Sequence, residues 1–527
     1  MRPASIRISC LLVSLLCFSA TVKSQAPPAD AVAPEEAAFN GVYAHLSIPR
    51  VTGKLLNLSV EELKNLTISY TVVTPFSESQ ERKTVFAQPD GSFSLDLDYA
   101  FPYQQIWFGV GDFFYAGLYA NKDLYLELDM KKIKAAKEVN FNGEGVHYLG
   151  TDGPLNVYMN NYVLYKRDDQ LRLYGNINTL LHSSQTPVGD WLSDYNRLSD
   201  SLKKIQDDYV SANPSPYGWI LENERMSDYY AQICPNYWGK TMDDTLWQKM
   251  KMQKSYLVSN SSSQLYNYMT TYISNLPGDK RPSMQKFLLM QSLDKSIQRI
   301  DSLFSPAKAD FLKLRLSTSK DVNEQKTSLE HILRSMHTDW CVAVEKREYQ
   351  RTVDKVDEIN KTLARSVGGT QHTSFGKPLI ETSFGASMYE VSGMKAVDFL
   401  AKLKQSFPDK AIVIDLWATW CGPCLGEMQH TRELQEASKD LPVVFVYLCT
   451  IHGSSEDKWK SKVVELKQPG IHFLIDETLD AELAHYFSFS GYPGHAFIDK
   501  TGTYKPGAIK WMSEIENREA LAALINK

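Results

Sequence analysis

Residues 420–424 read Trp-Cys-Gly-Pro-Cys, the most chemically pointed feature of the chain. If this loop closes onto a helix, Cys421 sits beside backbone N–H groups with no partner in the helix and beside the positive end of its dipole. Both favour a thiolate, and the thiolate is the nucleophile in disulfide exchange. Cys424 then stands one turn inside, close enough to displace a partner from Cys421. The same spacing would also serve half a zinc site or a static structural disulfide. No second C-x-x-C or Cys/His pair stands at ligand spacing, so no metal is expected. Asp415 lies six residues upstream, in the apolar run AIVIDLW (411–417). It is either a carboxylate at the end of a strand in solvent or a buried carboxyl whose pKa burial raises.

The elements that must position these residues follow from the pattern around them. AIVIDLW is continuously apolar, as in a parallel strand covered on both faces. A helical stretch starts at Cys424, and a second buried run, VVFVYLC (443–449), follows it. DKWKSKVVELK, a strand-like IHFLID and a helix around TLDAELAHYF come next. AFID (496–499) with TGTYKPGAI suggests a terminal hairpin, and SEIENREALAALINK a closing helix. Strands alternating with helices predict an α/β domain over residues 367–527. Cys449 ends the second run, and strand C-termini form the functional edge of such sheets. It is therefore either an accessory thiol near the loop, able to form a side disulfide or a cap, or a small buried hydrophobe. His452 and His495 fall near the same edge, and nothing in the sequence assigns them a role.

IDLWATWCGPC resembles the active-site strand and loop of the thioredoxin superfamily, and the resemblance covers the C-terminal third. WATWC, Glu427 three residues beyond Cys424, and the long interval before SGYPGHAFID resemble the exported TlpA/ResA-like branch of thiol–disulfide oxidoreductases. The resemblance implies that Cys421 attacks a substrate disulfide, Cys424 resolves the mixed disulfide, and Asp415 relays the proton of Cys424. It also implies a cis-proline at Pro493 that, with Tyr492, Trp420, Gly422 and Pro423, shapes the surface for substrate backbone. Two departures stand out: VVFVYLC lacks the lysine common near the buried Asp, and Gln429-His430 replace a proline often found after the helix glutamate. Glu427 is either an accessory tuning group or an ordinary first-turn acid. A thiol peroxidase needs Thr three residues before its cysteine, where this chain has Ala418. The Gly-Pro dipeptide resembles that of strongly reducing thioredoxins. The implied activity is reduction of protein disulfides without a cofactor, fed by an upstream thiol electron donor, free or membrane-bound. The competing reading is a partner-binding or scaffolding protein with an ancillary redox module.

The whole chain has 527 residues, room for about three domains. Hydrophobic residues at 43% and charged residues at 23% exclude disorder, collagen-like sequence and a disulfide-dense mini-domain. A net charge of −5 without a basic stripe excludes a nucleic-acid footprint. Arg2 and Arg7 precede an uncharged Ile8–Ala20, which suits a secretory signal at 1–24 and is short for a membrane span. The alternative is an uncleaved N-terminal anchor; no lipid-anchor pattern precedes Cys10 or Cys17. The expected location is outside the cytoplasm, periplasmic, either soluble or N-terminally anchored. A linker at 25–39, rich in Pro, Ala and Glu, then leads into period-two alternation at LTISYTVV, SFSLDLD and DLYLELD, predicting a β-sandwich-like domain over 40–153. Spacings of three and four predict a helical domain over 154–366, with VEKREYQRTVDKVDEINKTLAR as a bridging helix and the many tyrosines as core. The fold class is thus multidomain α+β. Five cysteines remain after the signal, too few for a disulfide framework; Cys234 and Cys341 either pair or are buried thiols.

Overall fold

The computed structural model describes residues 46–76, 82–136, 142–183, 188–254, 258–276, 290–316, 321–365, 374–376 and 378–526. The expected signal segment, the 25–39 linker and the Gly368-Gly369 boundary lie outside them.

Two four-stranded sheets open the described chain. One is ordered β4 (Ser92–Ser94), β1 (Arg50–Leu56), β7 (Asp123–Asp129), β8 (Val146–Leu149); the other β3 (Arg82–Val85), β2 (Ile68–Val72), β5 (Gln104–Val110), β6 (Phe114–Ala120). Alternation along β7 buries Leu124, Leu126 and Leu128, which meet Ile106, Phe108 and Leu118 of the facing sheet in one core. Phe93 stacks on Phe108 across it at 5.7 Å. This is the expected sandwich, with short helices α1 (Val60–Asn65) and α2 (Met130–Ala135) at its margins.

The helical middle comprises α3 (Gly153–Leu164), α4 (Arg167–Ser183), α5 (Val188–Ala212), α6 (Gly218–Ile233), α7 (Asp244–Lys251), α8 (Asn260–Ser274), α9 (Met290–Leu303), α10 (Pro306–Lys313), α11 (Val322–Arg334) and α12 (Asp339–Arg365). Tyr195, Tyr209, Tyr230 and Tyr266 are core residues, as expected. Tyr162 and Tyr174 are not: with Trp107 and Tyr115 of the sandwich they line a cavity of about 580 Å³ between the two regions. Periodicity cannot separate these cases, because an aromatic stripe suits either a core or a wall. Helix α12 bridges as expected. Cys341 near its start is buried in the helical core, while Val356 and Ile359 near its end pack against Val464 of the C-terminal domain.

The C-terminal domain is a six-stranded sheet, β14-β11-β12-β13-β10-β9, whose strands are β9 (Ile380–Glu381), β10 (Ala386–Val391), β11 (Ala411–Trp417), β12 (Val443–Thr450), β13 (Gly470–Ile475) and β14 (Gly494–Ile498). All seven residues of β11 are buried. Its odd positions Ala411, Val413 and Trp417 enter one apolar layer, and Ile412, Ile414 and Leu416 the other. A fully buried Ile or Leu contributes about 1.5–3 kcal/mol, so covering both faces fixes the strand firmly. Parallel strands need crossovers, and α14 (Gly422–Ala437) and α15 (Glu456–Leu466) supply them for β11–β12 and β12–β13. Helices α13 (Ala396–Ser406), α16 (Glu477–Phe487) and α17 (Arg518–Ile525) complete the domain. The expected terminal hairpin reduces to a single bridge, Ile498 to Tyr504. Asp499 turns the chain by accepting from the N–H groups of Thr501 and Thr503, and Pro506 has no N–H with which to extend a ladder. The closing helix is likewise shorter than expected, starting only at Arg518.

Candidate active site

Strand β11 delivers the chain to the open edge of the sheet, where Cys421 becomes the N-cap of α14. Gly422 and Pro423 occupy the first helical turn, where a missing N–H costs nothing. The Cys424 N–H donates to Cys421 Sγ at 3.2 Å, so the outer sulfur accepts one of the helix's orphan donors. The two cysteines form a disulfide. Cys421 is 4% exposed and Cys424 1%, so any approach comes from the Cys421 side. Trp420 beside them is 44% exposed, its Nε1–H held by the His452 carbonyl at 2.9 Å.

Asp415 belongs by parity to the same face of β11 as Val413 and Trp417, the face that Cys424 and α14 cover. It is 2% exposed, which removes the solvent-end alternative. Burial pushes its pKa from 3.8 up to about 6, opposed by His495 and assisted by the charge of Glu427. His495 Nε2 lies 3.7 Å from Asp415 Oδ1 and 3.5 Å from Glu427 Oε2. The other oxygen of Glu427 accepts from the Ser513 N–H at 3.3 Å. Glu427 is therefore drawn inward and is not an ordinary solvated helix acid. Sequence reasoning missed His495. The available signal was its place two residues beyond Pro493 on the strand paired with β11, where the antiparallel register sets it opposite Asp415.

The Tyr492–Pro493 peptide is cis. The Trp420 and Tyr492 rings meet edge to face at 5.7 Å, which brings the cis-proline loop against the C-x-x-C loop. Tyr492 is fixed from behind by Asp480, whose Oδ2 accepts from its hydroxyl at 2.5 Å and from Thr450 at 2.9 Å. Burial first, then that hydrogen bond, pushes the Tyr492 pKa up to about 12. Asp480 was not legible in the sequence, because nothing marks a helix acid that reaches back under a loop. Next to it, Gly494 admits the Phe489 ring where a Cβ would come within 2.6 Å of it.

Cys449 pairs in register with Trp417. It is fully buried, with the Ser454 hydroxyl 3.9 Å away, and burial pushes its thiol pKa well up. It is in no disulfide, and neither are Cys234 and Cys341. All three are buried thiols, so the side-disulfide and Cys234–Cys341 alternatives fall away. His452 stays at the rim, 3.4 Å from Glu477 and 63% exposed in its side chain. Among the described residues no His/Cys/Asp/Glu group is arranged to hold a metal ion.

A buried strand, a C-x-x-C at a helix mouth and a facing cis-proline define a thioredoxin-like domain with the fold of thiol–disulfide oxidoreductases. Residues 398–513 match the family model described as Redoxin. Among solved structures, a candidate thiol-disulfide oxidoreductase of Bacteroides vulgatus is similar at 27% identity, over 24% of this chain and 78% of that one, with a TM-score of 0.20. A thiol:disulfide interchange protein of Chlorobium tepidum matches at 17% identity, over 23% and 82%, with a TM-score of 0.20. The exposed lipoprotein thioredoxin of Streptococcus pneumoniae matches at 23% identity, over 23% and 86%, with a TM-score of 0.18. A comparison with curated proteins finds no match.

Proposed function

We propose that this protein is an exported thiol–disulfide oxidoreductase that reduces protein disulfides through the Cys421/Cys424 dithiol. One observation carries the reading: Cys421 caps α14 with its sulfur on the Cys424 N–H, while Cys424 is sealed behind it. In the reduced protein the same N–H and the helix dipole stabilise the Cys421 thiolate. That thiolate attacks a substrate disulfide, forming a mixed disulfide and releasing one substrate thiolate. Cys424 gives its proton to Asp415 and attacks Cys421 Sγ. The Cys421–Cys424 bond forms, the mixed disulfide breaks, and two electrons have passed to the substrate. Trp420, Tyr492 and Pro493 position the substrate chain. An upstream thiol donor, free or membrane-bound, restores the dithiol, and no cofactor takes part.

Export rests on the basic start and the uncharged Ile8–Ala20. No described helix is long and apolar enough to cross a membrane. The test of the redox reading is insulin reduction by dithiothreitol, with wild type well above background and Cys421→Ser at background. Equal rates would favour the second reading, a partner-binding protein with an ancillary redox module. The aromatic-walled cavity among residues 105–261 is the observation that favours it.

A further inference from the structure

Three buried polar atoms around the C-x-x-C helix have no hydrogen-bond partner among the described residues: Asp415 Oδ1, Glu427 Oε2 and His495 Nε2. They face one another, the ring nitrogen lying 3.7 Å from one carboxyl and 3.5 Å from the other. They arrive on three different elements, β11, α14 and β14, and the β11–β14 register fixes the meeting of Asp415 and His495. The opposite ring nitrogen, Nδ1, lies 3.2 Å from the Lys510 carbonyl. A carbonyl only accepts, so Nδ1 carries a hydrogen, and Nε2 is a bare lone pair in the neutral ring or a second donor in the imidazolium. The His495 side chain is 0% exposed and so is closed to bulk solvent. Three acceptors facing one another away from water is a costly arrangement. One proton placed among them supplies the missing donor.

We propose that His495 is a positioning residue which holds a proton between Asp415 and Glu427, so that this trio, rather than Asp415 alone, receives the proton of Cys424. This rests on the disulfide-exchange function proposed above. In the resolving step the Cys424 S–H loses its proton to Asp415. The Cys424 sulfur bonds to Cys421, the mixed disulfide breaks, and the departing substrate thiolate takes a proton from water. The trio later returns its proton to solvent, and the count closes. β11 brings Asp415 and α14 brings Glu427. β12 sets the fully buried Tyr447 in register with Asp415, its phenol held by Gln435 and Gln468 and its pKa raised well up by burial first and then by the Asp415 charge. The 510–515 segment brings the Lys510 carbonyl and Ser513. Nearby His430 is held on the Ile515 carbonyl, and Glu514 turns back to the N–H of Lys510.

The test follows the two chemical steps separately in full-length reduced protein treated with 5,5′-dithiobis(2-nitrobenzoate). Adduct formation at Cys421 reads the attack; release of the second nitrothiobenzoate reads resolution by Cys424. His495→Gln keeps an N–H near the Nε2 position but cannot take up a proton. It is expected to leave attack near wild type, to slow resolution by about tenfold or more, and to flatten its dependence on pH between about 5 and 8. Wild-type resolution with a wild-type pH profile would overturn the proposal. A second readout survives a folding failure of that variant: ring 15N shifts of His495 in wild type and Asp415→Asn. The shifts should move with pH and change when Asp415 is replaced; shifts indifferent to Asp415 would overturn the proposal. If wild type itself neither forms nor resolves the adduct, the proposed function fails first.

Discussion

Two described regions of this molecule bury a cysteine near a carboxyl, and one of them sets a second sulfur beside it at a helix mouth. In the helical region Cys341 and Glu345 stand one turn apart on α12, both fully buried. In the C-terminal domain Cys424 and Asp415 are buried almost as deeply, on one face of the sheet. Residue type and burial are therefore nearly matched, and what differs is what each group faces. Both oxygens of Glu345 lack a partner among the described residues, and burial alone raises its pKa well above the carboxylate range. Asp415 faces a histidine and a second carboxyl. Cys424 has Cys421 beside it at a helix N-terminus that opens past an exposed tryptophan. The proposed chemistry draws on an opening, a second sulfur and a place for a proton, none of which α12 provides.

The sharpest way to break that contrast is to exchange the sulfurs. Cys421→Ser should reduce insulin turnover to the background of dithiothreitol alone, whereas Cys341→Ser should leave turnover unchanged. Loss of activity in both would dissolve the comparison. The carboxyls come next. Asp415→Asn should slow the resolving step by about 10²-fold, the lower end for loss of a proton-transferring group. The same change should stabilise the fold at neutral pH. A carboxyl whose folded pKa is raised from 3.8 to about 6 binds more protons folded than unfolded between those values. Its contribution to stability is intact below about pH 4 and declines until about pH 6, where it has cost about 3 kcal/mol at most. Urea unfolding at pH 4 and pH 7 should therefore show the variant's advantage only at the higher pH. Glu345→Gln should also gain stability as pH rises, because its acid is raised too, but with no change in turnover. Equal kinetic effects at Asp415 and Glu345 would contradict the claim that surroundings decide. The smallest effect is expected at the rim. Trp420→Ala removes an edge-to-face contact with Tyr492 worth about 0.5–1.5 kcal/mol, and should raise KM several-fold with little change in kcat.

Much of the C-terminal domain is legible in the sequence, because its signals are local. The unbroken apolar run of β11, the turn chemistry of Gly422-Pro423 and the cysteine spacing each speak within a few residues. His495 was not legible, since its meaning comes from a strand register some 80 residues away in sequence. Asp480 is hidden for a related reason: as a first-turn acid of α16 it reads as a dipole partner until the fold sets Tyr492 above it. The tyrosines of the middle region show the limit of periodicity, which marks an apolar face but not whether core or cavity lies against it. The terminal hairpin reduces to one bridge because Pro506, two residues past Tyr504, has no N–H with which to extend a ladder, a local stop that an alternating pattern does not show.

The central claim is that the mouth of α14 makes Cys421 a better nucleophile than an ordinary thiol. Its most direct measurement is the iodoacetamide alkylation rate of Cys421 in reduced protein as a function of pH, with Cys424→Ser isolating the outer sulfur. The account predicts half-maximal reactivity well below the value of about 8.5 for free cysteine. A profile that coincides with free cysteine, in both midpoint and rate, would contradict it.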